Sequence, residues 1–446
     1  MSLNRKISPE SASSVNSELD LFAIDITQTQ IEEGLWETIE ATDFSVRSTQ
    51  LKFLIGEDDR HFVDLSECSV EIECKIKLTN GTDLDVAANN VRVYPEDNFA
   101  HTLFSKATLM INSQTVEFQD RYAEKAYIEN LVNTDQSVKE TTLAIEGWME
   151  DGGRASNGGD TPQAASNARK AMIAGSNTLA FSMRPRLAMF QQDKMIPPGT
   201  SLTLLLDKSE PRFALRAGVH NPPGGGRVNI TSARLRIRKC KLIDSANIAI
   251  LKTWTGYKTP SGKFVSGVPA KYNHKKASVH RHTFPQNATN QSVTLTHVRR
   301  PSRVFCALTN DQAVAGNYLM SPFNFVNAGV TRLALKVDGR LVDDEFRPDF
   351  ANNKVTREYQ SFIQACGKQH FHNSNGITKE DFITGTTLFG WDLSRGLSNQ
   401  LELVQDVQMR FEFTFGAPLP HTMSLITYTE YDEYMQISRG QQPIVV

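Results

Sequence analysis

The pattern of apolar and polar positions is densest over residues Val93–Asp135. Asn98 is predicted to cap a short helix there, because Asp and Asn side chains accept hydrogen bonds from the first free N–H groups of a helix. Phe99, Leu103 and Phe104 then follow at a spacing that places them on one apolar face. The stretch therefore begins with a turn and a short buried helix.

An antiparallel hairpin is predicted next. Leu109 and Ile111 alternate with residues that point the other way, which is the period of a half-buried strand. Asn112–Gln114 predicts the turn, and Val116 and Phe118 resume the alternation on the returning strand.

From Arg121 the apolar period becomes helical, with Tyr127, Ile128, Leu131 and Val132 on one side. Turn, hairpin and helix together form a compact core unit. These residue types indicate packing rather than catalysis.

Alternation with period two recurs along the chain. In Val70–Leu78 every second residue is apolar and the others are mostly charged, and Asn80-Gly81 follows as a turn. Further strands are predicted at Leu179–Met183, Ser201–Leu206, Ala233–Cys240, Ser292–Thr296, Val304–Leu308, Arg332–Val337, Met409–Phe415 and from Ser424.

The hairpin-and-helix pattern of Leu109–Val132 occurs again at Leu333–Cys366. Each copy precedes core strands and a final strand, Arg234–Leu242 in the first case and Ser424–Ile437 in the second. Sequence identity between the halves is negligible, so only the pattern repeats. It predicts two β-sandwiches of related topology in one chain.

Gly- and Pro-rich segments suggest how the chain is divided. Asp151–Arg169 and His220–Gly226 are predicted to be exposed loops, and a third such segment near residues 245–272 marks a boundary. The predicted divisions are a flexible N-terminal arm 1–19, a first sandwich 20–250, a linker 251–270, a second sandwich 271–437 and a C-terminal tail 438–446.

Composition narrows the class of protein. The 446 residues are 39% hydrophobic and 22% charged, with a formal charge of −2, which is typical of a globular protein and does not favour bulk electrostatic binding to nucleic acid or to an anionic membrane. No apolar run reaches the length of a membrane span, and the polar N-terminus is not that of a signal peptide. The cysteines are few, odd in number and without a CxxC motif, so they are expected to be core residues in a reducing compartment: Cys68, Cys74, Cys240, Cys306 and Cys366.

Candidate chemistry is sparse. The sequence has no P-loop, GxSxG elbow or HExxH motif. The close histidine pairs His280/His282 and His370/His372 could each offer two metal ligands on one strand face, but no third ligand stands at a fixed offset. The acidic run Asp343–Glu345 lacks the spacing of a calcium loop.

Arg234, Arg236 and Arg238 alternate with apolar residues and are interpreted as the solvated face of a strand, since no aromatic residues interleave for base stacking. We therefore predict no catalytic residue, no cofactor-binding residue and no metal ligand. A structural role is favoured over an enzymatic one.

Several blocks of the sequence resemble the major capsid proteins of Polinton/Maverick-type elements and adintovirus-like double-stranded DNA viruses. The most similar blocks are Asp97–Ser105, Leu109–Asn112 and Tyr127–Leu131. Others follow in the same order: Asp20–Phe22, Phe62–Ser66, Pro197–Thr200, Ser278–Phe284 and Tyr431–Asp432. The resemblance runs from about residue 20 to 437 and rests on structural rather than catalytic motifs.

The resemblance implies an all-β double jelly roll, two consecutive eight-stranded sandwiches with short helices inserted. It further implies a hexon-like homotrimer that forms pseudo-hexagonal capsomers of an icosahedral shell around double-stranded DNA. The implied partners are neighbouring capsomers, a single jelly-roll penton protein and minor capsid proteins, with no sequence-specific nucleic acid, and the implied location is the virion. In such a shell the loops Asp151–Arg169 and His220–Gly226 would be outward projections or clasps between subunits.

The alternative is a two-sandwich carbohydrate-binding or hydrolytic protein. It would need a cleft with convergent carboxylates or aromatic side chains. The tryptophans that could serve there are few and widely spaced: Trp36, Trp148, Trp254 and Trp391.

Overall fold

The computed structural model describes residues 27–43, 48–149, 163–217, 225–369, 373–395, 403–439 and 442–445, with isolated positions at 8, 10, 21, 24, 45 and 401. The predicted arm 1–19 and the His370/His372 pair lie almost entirely outside these residues.

Strands dominate the chain. The strands before residue 245 are β1 (Ile31–Glu40), β2 (Gln50–Ile55), β3 (His61–Leu78), β4 (Val93–Pro95), β5 (Phe104–Ile111), β6 (Gln114–Gln119), β7 (Leu179–Met183), β8 (Leu202–Lys208), β9 (Leu215–Ala217) and β10 (Gly226–Leu242). The later strands are β11 (Gly256–Lys258), β12 (Phe264–Ser266), β13 (Ala270–Phe284), β14 (Asn290–Arg299), β15 (Arg303–Asn310), β16 (Val330–Val337), β17 (Arg340–Leu341), β18 (Leu388–Asp392), β19 (Asp406–Phe415), β20 (Met423–Ile437) and β21 (Ile444–Val445).

Helices are short and lie between strands. They are α1 (Phe99–Thr102), α2 (Tyr122–Asn133), α3 (Gln136–Glu140), α4 (Gln163–Ile173), α5 (Pro211–Ala214), α6 (Asp244–Thr255), α7 (Asp311–Val314), α8 (Thr356–Ala365) and α9 (Lys379–Thr384).

The sheets repeat one topology twice. In the first half β1-β10-β3-β7 faces β2-β8-β5-β6, and in the second half β13-β20-β15-β18 faces β14-β19-β16-β17. If the small pairs β4–β9 and β11–β12 and the end strand β21 are set aside, eight strands remain in each half. Numbered in chain order, both halves pair as 1-8-3-6 and 2-7-4-5. That winding of antiparallel strands into two four-stranded sheets is the jelly roll. The chain is therefore a double jelly roll, as predicted.

The predicted repeat of the hairpin-and-helix pattern has a structural basis. The unit β5–β6–α2 in the first sandwich corresponds to β16–β17–α8 in the second, at the same place in the winding. The predicted strand Val70–Leu78 forms the second half of β3, where Val70, Ile72, Cys74 and Ile76 are all buried.

The hairpin β5–β6 departs from the predicted alternation at Phe118, which is 53% exposed. A shift of register between Leu109 and Met110 places Glu117 in the buried row instead. There the Glu117 carboxylate accepts a hydrogen bond from the backbone N–H of Ala188 at 2.7 Å. The predicted inward position of Phe118 is wrong, because a bulge changes which side chains face inward.

The predicted loop Asp151–Arg169 is also corrected. Residues 150–162 lie outside the described part, but helix α4 begins at Gln163 and holds Arg169 in a buried position. Its Ala, Arg, Lys and Met residues are good helix formers. The Gly-rich stretch before them had extended the predicted loop too far. The loop His220–Gly226 is described only at Gly225 and Gly226, and Gly226 begins β10.

Two hydrophobic cores fill the sandwiches, and helix α2 belongs to both. Tyr122 and Ala126 pack in the first core, whereas Ile128 and Leu131 pack in the second. Tyr127 stacks on Phe323 of the second half, with ring centroids 4.0 Å apart. Apolar side chains of α2 are thus buried in both cores, and α2 lies as a wedge between the two sandwiches.

We expect truncation of this wedge to weaken the whole protein. Leu131 is fully buried, so Leu131→Ala should lower the free energy of unfolding by about 2–5 kcal/mol through lost burial and a cavity. Leu54→Ala, at a half-exposed position of β2, should cost less than about 1 kcal/mol. Urea unfolding followed by intrinsic fluorescence measures both, and equal effects of the two variants would contradict the role assigned to α2.

Candidate functional site at the seam between the sandwiches

The residues singled out for chemistry are dispersed in the structure. Within the described ranges, no group of three or more His, Cys, Asp or Glu side chains is arranged to hold a metal ion. His280 and His282 lie on β13, where burial, together with the positive charge of Arg121, lowers the pKa of both imidazoles. In the part of the chain that the structure describes, neither histidine belongs to a group of side chains that could bind a metal.

The acidic run after β17 is occupied by arginines. Asp343 and Asp344 pair with the guanidinium of Arg357, at 3.0 and 3.4 Å. Glu345 pairs with Arg332, and this hydrogen-bonded pair lowers the pKa of Glu345 to about 2. These carboxylates form ion pairs with arginines at the surface of the second sandwich.

The arginine row of β10 is matched by its neighbour strand. Arg236 stacks over Trp36 of β1, with its guanidinium carbon 4.3 Å from the ring centroid, and Arg234 lies 3.7 Å from Glu40. The Lys239 ammonium lies 2.6 Å from the carboxylate of Glu37 and 3.2 Å from that of Asp58. The row is therefore one half of a charge ladder between two adjacent strands.

The polar groups with the strongest mutual contacts lie instead around α2, where the two sandwiches meet. We call this region the seam: α2 and residues 186–195 of the first half, with β13, β15, β18, β20 and α8 of the second. Gln119 donates to the carbonyl of Ala277 at 2.8 Å, and Tyr272 donates to the carbonyl of Met195 at 3.0 Å. Backbone and side-chain hydrogen bonds thus cross the seam in both directions.

A buried network lies on the first-sandwich side of the seam. His101 Nδ1 is 2.9 Å from the hydroxyl of Tyr122, and His101 Nε2 is 3.0 Å from Glu146 Oε2. Arg186 donates to the same carboxylate oxygen at 3.1 Å. Burial alone would raise the pKa of Glu146, but the positive charges and hydrogen bonds around it lower the pKa to about 2.

A second buried network surrounds Asp97 and Asn98. Asn98 does precede α1, but its φ of 54° is left-handed and its side chain makes no capping bond. Its Oδ1 accepts instead from Asn130 of α2 at 3.2 Å. Asp97 accepts from the backbone N–H groups of Asn98 and Met149, both at 2.7 Å. The predicted cap is wrong, because both side chains are used to hold the surrounding chain.

A buried ion cluster adjoins this network. Glu96 lies 3.8 Å from Arg169 and 3.7 Å from Arg216, and all three side chains are nearly fully buried. Such groups must be paired to be tolerated in an interior. The sequence showed no signal for them, because the arginines come from α4 and β9, far from Glu96 along the chain.

A polar cleft of about 340 Å³ opens at the seam. Its charged lining balances, with three cations and three anions: Lys125, Lys275, Arg303, Glu129, Asp392 and Glu430.

These charges are largely satisfied within the cleft. Lys125 lies 2.9 Å from Glu129, and Arg303 of the second sandwich lies 2.5 Å from Glu430. Arg303 also donates at 2.7 Å to Asn133 at the end of α2. Burial would lower the pKa of Arg303, but the charge of Glu430 raises it above its ordinary value. The arrangement joins two sandwiches and leaves no described pair of free carboxylates for hydrolysis.

The aromatic side chains that could bind a sugar are also occupied. Trp148, Trp254 and Trp391 are buried, whereas Trp36 is 46% exposed and has Arg236 stacked on its ring. In the described part of the chain, no helix is both long and apolar enough to cross a membrane.

No model of a known protein family matches the sequence. A curated Caenorhabditis elegans protein described as "Uncharacterized protein F54H12.2" is 24% identical over 435 residues, which cover 94% of this chain and 98% of that protein.

Among solved structures, the chain is similar in fold to viral capsid proteins. A chain in the 3.5 Å cryo-EM structure of the Sputnik virophage aligns with a TM-score of 0.64 and 13% identity, covering 100% of this chain and 94% of that one. PBCV-1 VP54 aligns with a TM-score of 0.58 and 9% identity, covering 95% and 99%. The mavirus major capsid protein aligns with a TM-score of 0.53 and 12% identity, covering 98% and 95%.

The charge network of the seam predicts a specific acid dependence. The pKa of Glu146 is held at about 2, below the ordinary 4.5, so its stabilising effect is full above about pH 4.5 and is lost as pH falls towards 2. Glu146→Gln should therefore be less stable at pH 7 by on the order of 2–3 kcal/mol, and the difference from the unchanged protein should shrink between pH 4.5 and 2.

Thermal unfolding across that pH range measures the effect. Glu57→Gln, an exposed carboxylate before β3, is the matched control and should follow the unchanged protein at every pH. A stability difference for Glu146→Gln that is constant from pH 7 to 2 would contradict the assignment.

Proposed function

We propose that the chain is the major capsid protein of a double-stranded DNA virus or of an integrated element of the Polinton/Maverick kind. The observation that carries the proposal is the repeated 1-8-3-6 and 2-7-4-5 winding, present in both halves. The alignment with capsid proteins such as that of mavirus over nearly the whole of both chains supports it.

In this function the two sandwiches serve as paired wall elements. In the proposed division, residues 20–250 and 271–437 are the two units, 251–270 connects them, 1–19 is the N-terminal arm and 438–446 is the C-terminal tail, in which Ile444 and Val445 pair with β20. Three chains place six sandwiches around a threefold axis, which gives a pseudo-hexagonal capsomer able to tile an icosahedral shell. Homo-oligomers with closed symmetry and large apolar interfaces are the usual form of such assemblies.

The seam is what makes this arrangement useful. A capsomer keeps its outline only if the two sandwiches of each subunit hold one relative position. The wedge α2 and the hydrogen bonds of Gln119 and Tyr272 across the seam supply that constraint. Neighbouring capsomers, a single jelly-roll penton protein and minor proteins are the partners of the proposed subunit in the virion.

A second candidate has the same fold in a changed use, as the product of an element resident in a host genome. The observation that favours it is the similarity to a nematode protein over 98% of that protein's length. A carbohydrate-binding or hydrolytic function is disfavoured by the paired charges of the cleft and by the burial of Trp148, Trp254 and Trp391.

The first test is the oligomeric state. Purified protein should elute with a mass near three times 49.8 kDa, or as a larger assembly, because the capsomer requires three chains. Size-exclusion chromatography with light scattering measures this mass directly. A stable monomer at 49.8 kDa would count against the capsid function.

The second test separates capsomer from shell. Deletion of residues 2–19 should leave the trimer intact but impair shell closure, because a polar segment without periodicity can become ordered only against neighbouring subunits. Electron microscopy of the truncated and full-length proteins compares the particles. Normal closed shells from the truncated chain would refute this role of the arm.

A further inference from the structure

The segment between the sandwiches forms an element that joins the first core at Trp254 and Leu251 and exposes most of its other side chains. We call it the projection: helix α6 followed by the hairpin β11–β12, residues 244–268. Trp254 anchors it by donating to the carbonyl of Ile437 at 2.9 Å, and the N–H of Val268 donates to the carbonyl of Thr253 at 2.8 Å. A Cβ atom on Gly267 would lie 2.1 Å from the carbonyl oxygen of Trp254, so the hairpin fits closely onto the helix.

The projection exposes an apolar surface. In α6 only Trp254 is buried, and Tyr257 and Val265 stand directly opposite each other in the hairpin. The large apolar side chains of the surface are between 38% and 59% exposed: Ile248, Ile250, Tyr257, Phe264, Val265 and Val268. A helix and hairpin with this much exposed apolar area indicate a binding surface.

Charge indicates what binds there. The projection carries three lysines (Lys252, Lys258 and Lys263) and one acidic residue, Asp244 at the start of α6, and Lys271 follows in β13. Residues 10–26, which we call the acidic segment, contain four acidic residues and no basic one, and near their end they carry closely spaced apolar residues: Leu19, Leu21, Phe22, Ile24 and Ile26. The two segments therefore match in charge and in apolar character.

The chain that follows the acidic segment is hydrogen-bonded to the residue just before the projection. The N–H of Ile243 donates to the carbonyl of Gln30 at 3.0 Å, so the chain before β1 leaves the fold at the base of the projection. Within one subunit, however, Leu21 and Ile24 are 77% and 93% exposed. At these described positions, one copy thus leaves apolar side chains of the acidic segment exposed, as it does those of the projection.

We propose that the acidic segment of one copy lies on the projection of a neighbouring copy. This inference rests on the proposed function only in requiring that copies associate, and it names the contact. Eight extended residues, 19–26, span about 26 Å, and α6 is about 18 Å long, so the apolar end of the segment is long enough to cover the helix.

Crosslinking tests the contact. The native cysteines are all buried, so the double variant Ile24→Cys/Ile250→Cys offers two accessible thiols for a short bismaleimide. We expect covalent dimers and trimers on a denaturing gel, at multiples of 49.8 kDa. The single variants Ile24→Cys and Ile250→Cys should stay monomeric on the gel. The pair Leu21→Cys/Ile248→Cys repeats the experiment at a second position of each segment.

Charge reversal gives an independent readout. Lys258→Glu with Lys263→Glu in the double-cysteine background should lower the yield of crosslinked dimer several-fold. Lys52→Glu, an exposed lysine of β2 far along the chain from the projection, should leave the yield unchanged.

The outcomes of these experiments distinguish a failure of the proposed contact from a failure of the proposed capsid function. Crosslinks only within single chains, or oligomers that give no crosslink with either cysteine pair, would overturn the inference while leaving the capsid function standing. A protein that light scattering shows to be monomeric would overturn both.

Discussion

Helix α2 must bury apolar side chains on both of its sides, and the arrangement of the rest of the molecule follows from that requirement. A single jelly roll could cover only one side of the helix. Tyr122 is buried in the first core and Leu131 in the second, so the two sandwiches can separate only by exposing one face of α2 to water. The burial of this helix makes two repeated sandwiches into one rigid building element, which is what a shell subunit needs.

The polar groups of the seam fix the relative position of the two sandwiches. Apolar contact alone would tolerate sliding of one sandwich over the other, whereas buried charges require particular partners. Lys139 of α3 donates to the carbonyl of Asn375, and Arg303 reaches across the cleft to Asn133 of α2. Displacement of the sandwiches would break these charge-assisted hydrogen bonds in a buried region, which is costly for each cation.

The sequence was informative wherever a period was long and regular. The strand Val70–Leu78, the helix after Arg121 and the repeat of hairpin and helix at Leu333–Cys366 could all be predicted, and with them two sandwiches of related topology. The double jelly roll itself was implied by the resemblance to capsid proteins. The position of Phe118 could not be predicted, because a bulge of one residue leaves no trace in the apolar pattern. The buried ion cluster of Glu96 was equally invisible, since its partners come from distant elements and charged residues are ordinarily expected outside.

The proposed capsomer consists of three copies of this double jelly roll. Cryo-electron microscopy of the purified protein shows the outline and the symmetry of the particle together. We expect particles with a pseudo-hexagonal outline, in which six sandwiches surround a threefold axis and each subunit keeps its two sandwiches joined through α2. Two-lobed particles that contain one chain, with no threefold assemblies or shells, would contradict the proposal.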